Sequence, residues 1–125
     1  MAIVKYKEGT LDGFENGFST KDYTFRFYKS TVLSEDGTIG DFTEATGTNY
    51  VEKSLLWASA TVSWNAGESK YEALWPQQIW TNIDNFVAEG WYIVDSGDNR
   101  VYSAEALTLG STYDNINATP SILLG

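Results

Sequence analysis

The chain has 125 residues, the size of one domain with a single hydrophobic core, and its apolar fraction of 42% excludes disorder by composition. Eight basic against seventeen acidic residues give a formal charge of −9, which disfavours direct binding to nucleic acid or to an anionic membrane. The chain has no cysteine, which excludes disulfides and thiol catalysis.

The start of the chain shows no signal-peptide pattern, and no segment shows the pattern of a membrane span. Met1–Tyr6 lacks the apolar stretch of a signal peptide, and no run approaches the roughly 18 apolar residues of a membrane span. We therefore expect synthesis in a cytoplasm and no membrane partner.

Lys7–Lys21 is predicted to be a loop anchored by Phe14 and Phe18, because its three glycines disfavour a helix. We treat residues 1–22 as an N-terminal arm of one domain, 1–125.

Alternation of apolar and polar residues predicts β-strands along most of the chain. The clearest strands are Tyr23–Lys29, Ser59–Trp64, Val101–Ala106 and a central, more continuously apolar one at Trp91–Val94. Weaker strands are predicted at Ile3–Tyr6, Tyr50–Leu55, Tyr71–Trp75 and Asn115–Leu124. Turn residues mark Ser34–Gly37, Asn65–Glu68 and the hairpin turn Asp95–Asn99.

The segment Gln77–Glu89 has conflicting signals. Its apolar residues fall at helical spacing, but Asn82, Asp84 and Asn85 are weak helix formers. We predict an irregular connection with at most one helical turn. The chain as a whole then has seven or eight short strands separated by turns. This pattern predicts an all-β, single-domain, two-sheet sandwich resembling a jelly roll.

The sequence gives little support for catalysis or metal binding. Two carboxylates could serve a glycosidase, but among seventeen acids some pair always looks suggestive. Asp95, Asp98 and Asn99 carry oxygen ligands suited to calcium, yet a polar hairpin turn needs the same residue types. We therefore predict a protein that is not an enzyme, with no catalytic residue, cofactor or metal site.

Aromatic residues are more numerous than one core usually needs: five Trp, eight Tyr and six Phe. Trp75, Trp80 or Tyr113 could stack on sugar rings, but Trp and Tyr are equally typical of protein interfaces. Both readings stay open. The apolar ends of the chain could each dock on their own sheet or pair with a neighbouring copy. The predicted partner interface comprises Ile3, Val4, Phe14, Phe18, Trp75, Trp80, Ile122, Leu123 and Leu124.

One set of segments carries a resemblance to a known class of proteins. Asp41-Phe42-Thr43-Glu44-Ala45, followed by Tyr50 and Leu56-Trp57, and the later strand Gly90–Asp95 with Gly97, resemble a pattern in small virion proteins of tailed bacteriophages. The resemblance spans residues 23–109. It departs at Asn49, where relatives often have glycine, and at Val101–Glu105, where many have an apolar-Trp-Ala-Glu run.

The resemblance implies a structural role in a phage particle. It implies a capsid cement (decoration) protein that forms a homo-oligomer, dimer or trimer, on the shell of the major capsid protein. The protein would be made in the host bacterial cytoplasm and located in the virion. The alternative it leaves open is a tail-fibre or tail-associated component, with or without glycan binding. The acidic loop would be a structural turn, with Phe42 inserted in the core and with Asp41 and Thr43 bonded to local backbone.

Overall fold

The computed structural model describes residues 3–107 and 115–124. Within them the chain forms an α-helix, α1 (Lys7–Asn16), and a series of strands that pair in antiparallel fashion. The strands in chain order are β1 (Val4–Lys5), β2 (Tyr23–Ser30), β3 (Thr43–Glu44), β4 (Lys53–Leu55), β5 (Thr61–Asn65), β6 (Lys70–Leu74), β7 (Gln78–Thr81), β8 (Gly90–Asp95), β9 (Val101–Ala106), β10 (Asn115–Ala118) and β11 (Ser121–Leu124). The prediction of an all-β sandwich is confirmed, while the finer jelly-roll topology stays a prediction.

The largest sheet has six strands in the order β1-β9-β8-β2-β3, with β4 pairing beside β3 on the same edge of β2. Strand β8 lies at its centre, paired with β2 on one side and β9 on the other, and all six of its residues are buried. Its continuous apolar run, Trp91–Val94, is therefore explained by burial on both faces. The predicted hairpin turn Asp95–Asn99 joins β8 to β9, and Asn99 takes a positive φ of 57°.

Two smaller sheets, β11-β6-β5 and β10-β7, cover one face of the large sheet. The main core lies between these layers, where Phe25 and Phe27 of β2 meet Trp80 of β7 and Ile122 of β11. A second, smaller cluster lies on the opposite face. There Tyr28 and Tyr92 pack with Tyr6 and the residues around Phe42.

The prediction of a loop over Lys7–Lys21 is wrong, because Lys7–Asn16 is helical. Gly9 and Gly13 lie on the buried side of this helix. A Cβ at Gly9 would collide with the Val101 carbonyl and with Tyr102, and one at Gly13 with the Phe18 ring. Gly9 therefore allows the helix backbone to approach β9 closely, and Gly13 makes room for the Phe18 ring. This packing offsets the low helix propensity of glycine.

The segment Gln77–Glu89 is irregular only in part. Gln78–Thr81 forms β7, which pairs with β10 so that Trp80 lies opposite Ile116. After it, Asn82 and Asn85 adopt positive φ values of 54° and 51°, which end regular structure, and no helical turn forms there. Among the described helices, none is long and apolar enough to cross a membrane.

Candidate functional site

Trp75 and Trp80, predicted to contact a partner or a sugar, lie in the core. Each is 2% exposed. Their indole N–H groups donate to the carbonyl oxygens of Leu56 (2.9 Å) and Val51 (2.7 Å), so burial leaves no polar group unpaired. Neither indole ring is exposed enough to stack on a sugar. Trp75 and Trp80 therefore give no support to sugar binding. Tyr113, the third residue considered for sugar stacking, lies outside the described residues.

The apolar ends of the chain dock on their own sheets, which is one of the two alternatives left open by the sequence. Ile122 and Leu123 are 1% and 5% exposed, and β11, which also contains Leu124, pairs with β6. Val4 pairs with Ala104, and Ile3 packs at the edge of the main core. The surface that these residues leave for a partner is small.

Phe14 is the most exposed of the residues predicted to form the partner interface. It is 70% exposed on α1, where Leu11 is 54% exposed. Phe18 is half-buried between Phe14 and Tyr102, with ring centroids 6.0 Å and 5.9 Å away. Phe14 and Leu11 border a cleft of about 360 Å³ that Lys5, Lys7 and Glu35 also line.

Among the described residues, the β5–β6 hairpin carries a pair of exposed aromatic residues that the sequence analysis did not single out. Alternation predicts a half-buried strand over Ser59–Trp64. The structure begins the strand at Thr61 and leaves Thr61–Trp64 exposed. Trp64 is 57% and Tyr71 55% exposed, and their rings pack edge to face at 5.2 Å. We call Val62, Trp64 and Tyr71 the hairpin face. Alternation predicted the strand, but it does not tell whether another layer covers it.

Within residues 3–107 and 115–124, strand β5 pairs with β6 alone and is therefore an edge strand. Its sequence Thr-Val-Ser-Trp-Asn has no charged residue and no proline. Edge strands usually carry such residues because unpaired backbone groups invite other chains to pair with them. The hairpin face therefore combines exposed aromatic rings with an unprotected edge, which is the pattern of a contact surface.

A second feature is a cluster of two buried carboxylates and one partly buried amine, hereafter the acid–amine cluster: Asp12 of α1, Lys21, and Asp95 at the end of β8. Both carboxylates are 1% exposed and the Lys21 side chain 16%. Lys21 Nζ is in direct contact with Asp12 Oδ2 and lies 3.4 Å from Asp95 Oδ2. Asn16 Nδ2 donates to Asp12 Oδ1 at 2.7 Å, and the Tyr102 hydroxyl donates to Asp12 Oδ2 at 2.6 Å.

The pKa directions in this cluster follow from these contacts. Burial alone would raise the pKa of Asp12, but the hydrogen bonds from Lys21, Tyr102 and Asn16 outweigh it and hold that pKa well below its usual range. Burial would lower the pKa of Lys21, and its contacts with Asp12 and Asp95 reverse the sign and raise it. Burial, followed by the bond to Asp12, raises the pKa of the Tyr102 phenol. The resting state is therefore an ion pair.

The cluster also bears on whether these acids bind a metal ion. Carboxylate oxygens of Asp12, Asp95 and Asp98 lie within 4.8 Å of one another. Lys21 already supplies a positive charge between two of them, and Asp95 Oδ1 accepts the Asp98 backbone N–H as a turn residue does. These contacts account for the acids without an ion. Nothing in the sequence links positions 12, 21 and 95, so reasoning from spacing missed Asp12 and Lys21.

The segment Asp41–Ala45 is a turn only at its start: Asp41 ends a 3₁₀ turn (Ile39–Asp41), and Thr43–Glu44 form β3. Phe42 stacks on Tyr92 with ring centroids 4.3 Å apart, and Asp41 Oδ2 accepts the Thr38 backbone N–H at 3.0 Å. The backbone of Thr43 pairs with Ser30 as part of a strand, and this pairing, not a side-chain hydrogen bond, fixes its position.

Comparison with protein-family models, with curated proteins and with solved structures finds no match for this chain.

Proposed function

We propose that this chain is a non-enzymatic structural protein of a bacteriophage particle, and specifically a capsid cement protein that oligomerises on the major capsid protein shell. The observation that carries the proposal is the hairpin face, an exposed Trp–Tyr pair beside an uncharged edge strand. The sequence resemblance to small phage virion proteins supplies the kind of particle.

Exposed aromatic pairs are typical of binding surfaces. Trp and Tyr are enriched among the residues that contribute most to protein interfaces, because a large rigid area is buried at little entropic cost. The hairpin is also held firmly, since β6 is paired on both sides, by β5 and by β11. A rigid aromatic surface of this kind is suited to repeated docking on a regular shell, where many modest contacts add through multivalency.

The charge supports a protein partner over nucleic acid. A formal charge of −9 would be repelled by phosphates, but would be attracted to basic patches on the outside of a shell. Closed symmetric assemblies are the commonest oligomers, so we propose a dimer or trimer. The alternative, a tail-fibre or tail-associated role with or without glycan binding, would use the same surface. The burial of Trp75 and Trp80 makes the glycan part of it the weaker reading.

The test is co-sedimentation of the purified chain with empty shells of the same phage's major capsid protein. Trp64→Ser combined with Tyr71→Ser should abolish co-sedimentation while leaving the melting temperature unchanged. Val32→Ser is the matched control, because Val32 is 80% exposed but lies outside the hairpin. Failure of the wild type to bind shells, or equal binding by the double variant, would contradict the proposal. Cryo-electron microscopy of whole particles would then distinguish shell from tail.

A further inference from the structure

We propose that Lys21 and Asp12 condense within the folded chain to form an isopeptide bond, Nζ to Cγ, with Asp95 as the acid–base catalyst. The proposal concerns a covalent modification of the acid–amine cluster and does not rest on the proposed function. Its basis is a partly buried amine in direct contact with one buried carboxylate, with a second buried carboxylate 3.4 Å away.

Three separate elements hold the reacting groups in place. Asp12 lies on α1, Asp95 ends the central strand β8, and Lys21 lies just before β2. Asp95 is itself fixed by its backbone bonds to Arg100 and Asn99 in the hairpin turn. Fixing an amine against a carboxyl group in this way corresponds to effective concentrations of about 10⁵–10⁸ M in well-oriented intramolecular reactions.

Aromatic rings enclose the cluster. Tyr23 and Tyr102 are fully buried with ring centroids 5.0 Å apart, and Phe18 packs on Tyr102. Burying an ion pair is costly, and condensation removes both charges and releases a water molecule. The amide avoids the desolvation cost of the ion pair. The reaction must first overcome the contacts that keep Asp12 and Lys21 ionised.

The remaining contacts suit the reaction at the Asp12 carboxyl carbon. The Asn16 amide donates to Oδ1, where negative charge develops in a tetrahedral intermediate. Lys21 and the Tyr102 hydroxyl contact Oδ2, the oxygen that departs. Lys21 thus approaches the side of the carboxyl group that carries the leaving oxygen, and the other oxygen is held by a donor.

The step balances without any co-reactant. One proton first passes from the Lys21 ammonium to the Asp12 carboxylate, giving a neutral amine and acid. The Nζ lone pair then attacks Cγ, and the N–C bond forms. Asp95 takes a proton from the nitrogen and returns it to the Oδ2 hydroxyl, the C–O bond breaks, and water leaves. Asp95 ends as the carboxylate it began as.

The chain contains its own comparison. Lys7 Nζ lies 2.8 Å from Asp36 Oδ1, a similar amine–carboxylate contact, but the two side chains are 64% and 72% exposed. Water competes there, and neither an aromatic enclosure nor an Asn donor to the carboxylate accompanies the pair in the described contacts. We expect no condensation at Lys7.

The experiment is a tryptic map of the natively purified, then fully denatured, protein by mass spectrometry. An amide at Lys21 prevents cleavage there, so a single peptide Glu8–Arg26, lighter by one water, should replace Glu8–Lys21 and Asp22–Arg26. Fragmentation should give no ions from breaks between residues 12 and 21. Cleavage after Lys7 should be normal.

Asp95→Asn keeps the size and the turn acceptor but removes the catalytic carboxylate, and Lys21→Arg keeps the charge without the amine. Both should show the full sequence mass while remaining folded by circular dichroism. A folded wild type with normal cleavage after Lys21 overturns the proposal. So does a loss of water with Lys21 still cleaved, which would indicate a succinimide at Asp12-Gly13. Condensation persisting in Asp95→Asn would overturn the role of Asp95.

Discussion

The burial of Trp80 predicts a large difference between two tryptophans of the same chain. Trp80 is 2% exposed and packs against Phe27 and Phe25, with ring centroids 5.1 Å and 5.7 Å away, whereas Trp64 is 57% exposed. Trp80→Ala should lower the free energy of unfolding by about 3–5 kcal/mol, because it leaves a large cavity. Trp64→Ala should change it by no more than about 0.5 kcal/mol.

The assay is urea unfolding followed by far-ultraviolet circular dichroism, with thermal unfolding as a second measure. At roughly 4 °C per kcal/mol, Trp80→Ala should melt about 12–20 °C lower than the wild type. Trp80→Phe gives a milder test, since it keeps most of the ring area but removes the donor to the Val51 carbonyl. That variant should lose about 1–2 kcal/mol. Equal losses for the Trp80 and Trp64 variants would refute the core placement of Trp80.

Three further predictions concern the second cluster, the tyrosines and β11. Phe42→Ala removes the ring stacked on Tyr92 and should cost about 2–3 kcal/mol in urea unfolding; a neutral result would mean that the loop is not anchored by Phe42. Burial raises the pKa of Tyr28 to about 12, so its contribution to stability is complete below the unfolded value near 10 and is lost as pH rises through about 12. Melting temperatures measured against pH should fall over that interval, less steeply in Tyr28→Phe; parallel curves would contradict the assignment. Deleting residues 121–125 exposes the partners of Ile122 and Leu123, each contributing about 1.5–3 kcal/mol, so a truncated chain that melts like the wild type would contradict the pairing of β11 with β6.

The strands were predictable from the sequence because their signals are local. Alternation in Tyr23–Lys29 and Val101–Ala106, the apolar run at Trp91–Val94 and the turn at Asp95–Asn99 all correspond to elements of the structure. Helix α1 was not predictable in the same way. Glycines disfavour an isolated helix, and only the close approach of β9 to Gly9 and of the Phe18 ring to Gly13 makes these glycines advantageous. That information is tertiary and is not contained in the spacing of residues.

The surface was harder to predict than the core. Trp75 beside Pro76 has the local sequence of an exposed loop, yet its indole N–H finds the Leu56 carbonyl inside the molecule. Trp64, by contrast, lies on a strand with clear alternation and stays exposed, since no other described element packs over it. Both outcomes depend on which sheet packs on which face. The acid–amine cluster depends likewise on long-range packing, since Asp12 and Asp95 are far apart in the chain.

The position of β8 has a consequence for how the molecule opens. A strand buried on both faces and paired on both edges cannot separate from its neighbours without disrupting the whole core. Its amide hydrogens should thus exchange with deuterium only through global unfolding, far more slowly than those of β5 at the periphery. The same strand ends in Asp95. The strand that we expect to unfold last therefore also positions one carboxylate of the acid–amine cluster.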